Sequence, residues 1–333
     1  MNKNDILFSY SLILKKYLHI NLQLLYSCNF KCRICDFWKK DYLNKPQLSV
    51  EDIKVIALKI KKLGPQVISI GGGEPLMHND IIKIASILAE NNFPVMICNG
   101  WFMTDKFAKE LFKAGMYEVS ISIDYATASK HDSQRGVNGA FDKAVKALKM
   151  LNENRVHPYQ RVHLISVVMD DNLEDIPELI KLAKNIGVTY LVTLYSSNRG
   201  KKDNRISNLK ISEYLLKLKK DNPEFVALRG YLSRFSEAAA NNGIDQCRGG
   251  INFFNIDSQG NVSFCIDHLE NIAGNILKDD MEIIIKNLKN AALENKCAGC
   301  WTSCRGSIET LLYGSDKLAN YFDMYQMTRK IPV

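Results

Sequence analysis

Apolar and polar residues alternate one by one in "HINLQLLY" (19–26), then recur every three or four positions in "SVEDIKVIALKIKKLG" (49–64). The first period belongs to a strand with two unlike faces, the second to a helix with one apolar stripe. Ser49, with Asp52 three residues later, predicts a capping box, and Gly64 predicts the stop. The same switch repeats down the chain. "QVISI", "PVMIC", "YEVSISI", "RVHLISVVM" and "VTYLVTLY" read as strands. "DIIKIASILAENN", "TDKFAKELFKAG", "NGAFDKAVKALKMLNEN" and "LEDIPELIKLAKNIG" read as the helices between them. Strands separated by helices predict right-handed βαβ units around a parallel sheet covered on both faces. Functional groups in such a sheet gather at the carboxyl ends of the strands, where the loops begin.

The pattern changes after Tyr195. "SSNRGKKDNRISNLKIS" is polar and basic and reads as a linker, which puts a domain boundary near residue 205 and divides the chain into 1–205 and 206–333. Beyond it, helices are expected near 211–220, 232–241, 279–293, 305–313 and 316–329. "INFFNIDSQGNVSFC" holds two alternating runs around Asp257–Gly260, a hairpin signal. The fold class is therefore α/β, followed by a smaller α+β unit.

The amino-terminal stretch "DILFSYSLILKKYLHI" is apolar, but Lys15, Lys16 and His19 cut it far short of the ~20 residues a spanning helix needs. Its lysines follow the apolar run, the reverse of a secretory signal. A short amphipathic helix from about Asp5 to Tyr17 is expected, packed on the protein's own core, with weak membrane contact as the alternative. The net charge of +8 is spread over the helices, which suits solvated faces; no aromatic-interleaved basic motif points to nucleic acid.

Nine cysteines without an export signal imply a reducing compartment, taken to be the cytoplasm, where thiols serve metals or catalysis. Three cluster at 28, 32 and 35, in the loop that follows the first strand, and five lie between 247 and 304. Three thiols with no fourth ligand nearby suit an iron–sulfur cluster with one open iron better than zinc, which takes four. "ISIGGGEPLMHND" (68–80) ends the second strand and faces the same way. Its glycines allow a ligand close to the backbone, Glu74 brings a negative charge and Pro75 fixes the turn.

Together these two motifs resemble the radical S-adenosylmethionine (SAM) superfamily: Cys28, Cys32 and Cys35 match its C-x-x-x-C-x-x-C loop, and Gly72, Gly73, Glu74 and Pro75 its G-G-E-P element. The resemblance implies a partial (β/α)6 TIM-like barrel and a [4Fe–4S] cluster held by the three cysteines and by SAM. It also implies a strand end at Glu74 that holds the methionyl ammonium, and a reducing partner such as ferredoxin or flavodoxin. Cleavage of SAM would then yield a 5′-deoxyadenosyl radical that abstracts hydrogen from substrate. Ile34 departs from the aromatic residue usual before the third cysteine and would offer adenine an apolar surface instead. Ser122 and Asp124 end the fourth strand and are candidates for SAM's ribose or carboxylate, with helix capping the alternative for Asp124. Asn99 and Arg135 take comparable places, Arg135 suiting a carboxylate.

Cys247 and Cys265 bracket the hairpin, and Cys297, Cys300 and Cys304 follow in "NKCAGCWTSCRG". Two distant thiols plus a C-x-x-C enclose a complete four-thiolate site, for iron–sulfur or equally for zinc. The arrangement resembles the Twitch domain, the short form of the SPASM extension. That resemblance implies one auxiliary [4Fe–4S] cluster on Cys247, Cys265, Cys297 and Cys300, with Cys304 a surplus thiol able to replace one of them. An auxiliary cluster would accept an electron from a substrate radical or anchor the substrate. Only 27 residues precede Cys28, so no fused leader-binding domain is expected, which favours a small-molecule, sugar-like or lipid-like substrate. A peptide delivered by a separate partner is the alternative, and a non-catalytic zinc or iron–sulfur scaffold the alternative of another class.

Overall fold

The computed structural model describes residues 3–14, 16–39, 42, 44–196 and 210–329. Six parallel strands carry the first half: β1 (His19–Leu25), β2 (Val67–Gly72), β3 (Phe93–Cys98), β4 (Glu118–Ser122), β5 (Arg161–Val168) and β6 (Thr189–Leu194). They lie side by side in sequence order, as a chain of right-handed βα units requires. After an amino-terminal helix α1 (Lys3–Ile13), the covering helices are α2 (Val50–Ile60), α3 (Ile81–Ala89), α4 (Asp105–Lys113), α5 (Ala128–Arg135), α6 (Ala140–Glu153) and α7 (Ile176–Ile186). The architecture is a partial TIM-like barrel with a smaller unit after it.

Local chemistry explains the helix ends. Ser49 Oγ accepts the N–H of Asp52 at 3.1 Å and Asp52 Oδ2 accepts that of Ser49 at 2.8 Å, so the expected capping box forms. Such a cap contributes about 1 kcal/mol. In β1, Ile20, Leu22 and Leu24 are fully buried against the helical layer. Each contributes roughly 1.5–3 kcal/mol. His19, Asn21 and Gln23 alternate with them on the opposite, inner face.

The second half adds α8 (Ile211–Asp221), α9 (Arg229–Leu232), α10 (Phe235–Asn241), β7 (Phe253–Ile256), β8 (Asn261–Ser263), β9 (Ile272–Asn275), α11 (Met281–Glu294), α12 (Ser303–Tyr313) and α13 (Lys317–Arg329). The hairpin turns where expected: Asp257 Oδ1 accepts the N–H groups of Gln259 and Asn261, both at 2.9 Å. Its first strand does not stand apart. β7 pairs in parallel with β1, Asn21 opposite Asn255, so one nine-stranded sheet runs β6-β5-β4-β3-β2-β1-β7-β8-β9. The boundary expected near residue 205 lies outside the described residues.

The amino-terminal helix departs from expectation. It ends at Ile13 and not near Tyr17, whose hydroxyl instead donates to the Gly250 carbonyl at 2.8 Å. Apolar residues recur on several sides of this helix, and among its described side chains only some reach the core. Ser11 and Leu12 are buried and Phe8 meets Phe93 edge-on, while Leu7, Tyr10, Ile13 and Leu14 stay exposed. Among the described residues no helix is long and apolar enough to cross a membrane.

Candidate active site

A cavity of about 260 Å³ opens at the carboxyl ends of the strands. Cys28, Cys32 and Cys35 line it together with Gly72, Gly73, Glu74, Asn99, Ser122, Arg135 and Ile34. Most of the residues singled out from the sequence therefore meet in one place. Pro75 and Asp124 do not reach the cavity wall. Pro75 opens the turn behind Glu74, and Asp124 lies fully buried behind Arg135. The position before α5 that Asp124 would have capped is taken by Thr127.

The cysteine loop is braced on three sides. Gly73 fits under it so closely that a Cβ there would sit 2.0 Å from the Ser27 carbonyl oxygen. Asn99 Nδ2 donates to Asn29 Oδ1 at 2.9 Å, and the Phe30 ring meets Trp101 edge-on at 5.6 Å. From the third side, the Arg33 N–H donates to the Gln134 carbonyl at the end of α5 at 3.0 Å. The Trp38 indole donates to the Cys32 carbonyl at 3.1 Å.

Electrostatics follow from burial and one cation. Burial pushes the Cys28 thiol up to about 12, although the Phe30 N–H, 3.4 Å from Sγ, pulls it back. Burial likewise raises Cys32, opposed by the Arg135 guanidinium, whose Nη1 lies 4.0 Å from Sγ. Burial works against the charge of Arg135 itself, but the carboxylate of Asp124 and the neighbouring thiols outweigh it and raise its pKa. Its Nη2 is 2.7 Å from Asp124 Oδ2, while Nε is buried with no acceptor among the described residues. Glu74, also buried, is raised to about 7 by desolvation against the pull of two backbone N–H groups.

The residues fit the groups that the motifs imply. Three thiols share one cavity, a tight glycine cradle sits beside them, and an unpartnered buried guanidinium N–H is ready for an anionic group. Residues 22–183 match the radical SAM superfamily. This stretch is a radical SAM domain. The chain is 25% identical over 307 residues to the AdoMet-dependent heme synthase of Methanosarcina barkeri, covering 84% of this chain and 86% of that protein. It is 28% identical over 304 residues to the mycofactocin maturase MftC of Mycolicibacterium smegmatis, covering 85% and 76%. The structure of anSMEcpe with bound AdoMet shares the fold, with a TM-score of 0.63 at 17% identity over 82% of each chain. The chain thus carries a radical SAM domain and is similar along most of its length to enzymes, and that domain's family implies a [4Fe–4S] cluster and SAM.

Sequence reasoning missed some of the wall. Phe37 and Trp38, directly after the third cysteine, line the cavity, as do Asn21, Gln23, Ser69, Ile97 and Val167. The signal for the polar ones lay in the alternation of β1, where Asn21 and Gln23 occupy the positions between outward-facing Ile and Leu. Cys98, at the end of β3, is buried and also reaches this wall.

Asn21 and Ile266 also line a second, much smaller void of about 10 Å³, together with Cys247, Cys265, Cys300 and Cys304. Cys297 does not line it; its Sγ lies 3.5 Å from His268 Nε2. Arg305 reaches this void as well and donates to Glu309 Oε1, the Cys300 carbonyl and the Asp245 carbonyl. Among the described residues no three His, Cys, Asp or Glu side chains converge as ligands of a single metal ion would.

Proposed function

We propose that this radical SAM enzyme abstracts hydrogen from a small-molecule substrate, and that the thiols of residues 206–333 hold an auxiliary [4Fe–4S] cluster that takes up an electron or anchors the substrate. The observation that carries the reading is the common lining of one cavity by Cys28, Cys32 and Cys35 and by Gly72, Gly73 and Glu74. When bound there, SAM and its cluster supply a 5′-deoxyadenosyl radical.

The chain's own residues have distinct tasks. Cys28, Cys32 and Cys35 hold three irons, and Arg135 offsets the negative charge gathered by the thiolates. Gly72 and Gly73 bring backbone groups close to the methionyl moiety of SAM, next to the Glu74 carboxylate. Ile34 offers the adenosyl moiety an apolar surface, and Asn99 and Ser122 offer it polar contacts. Pro75 and Asp124 act from behind, by fixing the turn and by orienting Arg135.

Asn21, Gln23 and Ser69 give the cavity amide and hydroxyl groups, and Ile97 and Val167 give it apolar walls. That mixture suits a compact substrate with both polar and apolar regions. The auxiliary role is supported by Asn21 and Ile266, which border the cavity on one side and the C-terminal thiols on the other. A cluster held by those thiols would lie across these two residues from a substrate in the cavity and would supply an acceptor for its electron. Ferredoxin or flavodoxin is the reductant of choice in a reducing compartment.

A second reading, maturation of a peptide brought by a partner, is favoured by the similarity to mycofactocin maturase along 85% of the chain. The test is anaerobic reconstitution followed by iron and sulfide analysis, then dithionite and SAM. We expect release of 5′-deoxyadenosine, and its loss when Cys28, Cys32 and Cys35 are all changed to Ala. Undiminished release by that variant would overturn the assignment. A stoichiometric zinc in that variant, without iron or sulfide, would make the C-terminal site structural.

A further inference from the structure

Residues 247–304 carry five thiols, one more than a four-thiolate site takes. Spacing favours the C-x-x-C pair as ligands and leaves Cys304 over. The fold sorts them differently. Cys247, Cys265, Cys300 and Cys304 surround the same small void, and Cys297 stays out of it.

The backbone explains why. The loop before Cys300 lies directly on Gly243, where a Cβ would come within 1.6 Å of the Ala298 carbonyl oxygen. Gly243 has a φ of 135°, so no other residue takes its place without strain. The Cys297 N–H is held by Asn295 Oδ1 at 2.9 Å, and its thiol faces His268 Nε2 at 3.5 Å. His268 in turn stacks on Phe264 and sets its Nδ1 3.1 Å from Glu270 Oε1. Cys297 is thereby fixed to a partner of its own.

Cys304 is steered the other way. It lies in the first turn of α12, which is anchored at its start by the Ser303 N–H on Thr193 Oγ1 at 3.0 Å and, just before it, by the Trp301 indole on the Tyr231 carbonyl at 3.0 Å. The amino-terminal turn of a helix favours a negative group, and Arg305, lining the same void, brings a full positive charge to it. Both favour a negatively charged group at this end of the void.

We propose that Cys247, Cys265, Cys300 and Cys304 are the ligands of the auxiliary cluster, and that Cys297 remains a thiol bound to His268 at its edge. The assignment rests on the reading that this site holds an iron–sulfur cluster. It leaves Cys297 a free thiol at the edge of the site, partly exposed beside the His268 ring and within reach of an alkylating reagent.

The experiment uses the reconstituted full-length protein with all three N-terminal cysteines in place, as wild type and with Cys297→Ser or Cys304→Ser. With two clusters of four irons, about eight per chain, Cys297→Ser keeps the full content and Cys304→Ser falls to about four. The SAM-sensitive electron paramagnetic resonance signal of the first cluster reports that each variant is folded. In the wild-type holoprotein, iodoacetamide labels Cys297 and spares Cys304, a readout that needs no variant. Loss of half the iron from Cys297→Ser, full iron in Cys304→Ser, or labelling of Cys304 would overturn the assignment. Absence of iron from the Cys28/Cys32/Cys35 triple Ala variant would instead remove the auxiliary cluster altogether, a failure of the earlier reading that takes this one with it.

Discussion

Glu74 Oε2 accepts the backbone N–H of Asn99 at 2.8 Å, joining the loop after β2 to the loop after β3. Its other oxygen accepts the Leu76 N–H at 3.1 Å, and the Asn99 side chain goes on to Asn29 in the cysteine loop. One carboxylate thus ties together three loops around the cavity. In Glu74→Gln the amide NH2 must face one of those two N–H donors, at a cost of about 1.5–3 kcal/mol. We expect SAM affinity to drop about ten-fold or more in a calorimetric titration. A change within about two-fold would mean that the carboxylate is dispensable for the SAM site.

Gly73 offers a sharper test of the same architecture. A methyl group there meets the Ser27 and Tyr26 carbonyl oxygens at 2.0 and 2.6 Å, both backbone atoms that cannot swing aside. Gly73→Ala should destabilise the fold by about 1–3 kcal/mol and separate the cysteine loop from β2. Iron at the first site should be lost while the C-terminal thiols keep theirs. Wild-type iron content and melting temperature in this variant would show that the two segments are not in contact.

The strands were legible because their apolar residues recur at period two and their loops carry turn residues. The C-x-x-x-C-x-x-C loop and the G-G-E-P element were legible as spacing. What escaped has physical reasons. Helix α5, "ASKHDSQR", has almost no apolar residues, yet it buries His131, Gln134 and Arg135 and so places the one cation that lines the cavity among the described residues. Pairing of β7 with β1 joins residues more than 230 positions apart, beyond any local pattern. That pairing brings the C-terminal thiols beside Asn21. Which of Cys297 and Cys304 borders the small void is likewise a matter of which way a loop faces, and spacing alone does not carry that information.

Stability should depend on pH through His19. Its ring is buried, Nε2 has no partner among the described residues, and desolvation lowers its pKa from 6.5 to about 4 in spite of the nearby Glu118 charge. As pH falls below about 6.5, the unfolded chain takes up a proton that the folded chain refuses. Stability is therefore full above that value and declines down to pH 4, by about 3 kcal/mol for this residue. His131, lowered to about 2 by burial and then by Arg135, works in the same direction. Denaturant titrations from pH 7.5 to 4 should show a shallower decline in His19→Gln than in wild type; parallel curves would sink the idea.

The last expectation concerns the ion pair behind the cysteine loop. Asp124 is fully buried, its Oδ1 accepts the Val167 N–H at 2.9 Å, and its Oδ2 lies 2.7 Å from Arg135 Nη2. Arg135 faces the cavity with Nη1 near Cys32, so the pair links the rear of the barrel to the cluster loop. Removing one partner of such a pair leaves a buried charge uncompensated, which costs about 3–5 kcal/mol. Arg135→Met should therefore unfold at a much lower denaturant concentration than wild type. Adding Asp124→Asn removes the stranded charge and should recover about 0.5–3 kcal/mol. Stability and cluster chemistry should then separate. The double variant regains its fold but still lacks the cation that offsets the thiolates, so its first cluster should have a lower reduction potential than that of wild type. Recovery of the wild-type potential together with stability would show that Arg135 serves the fold alone.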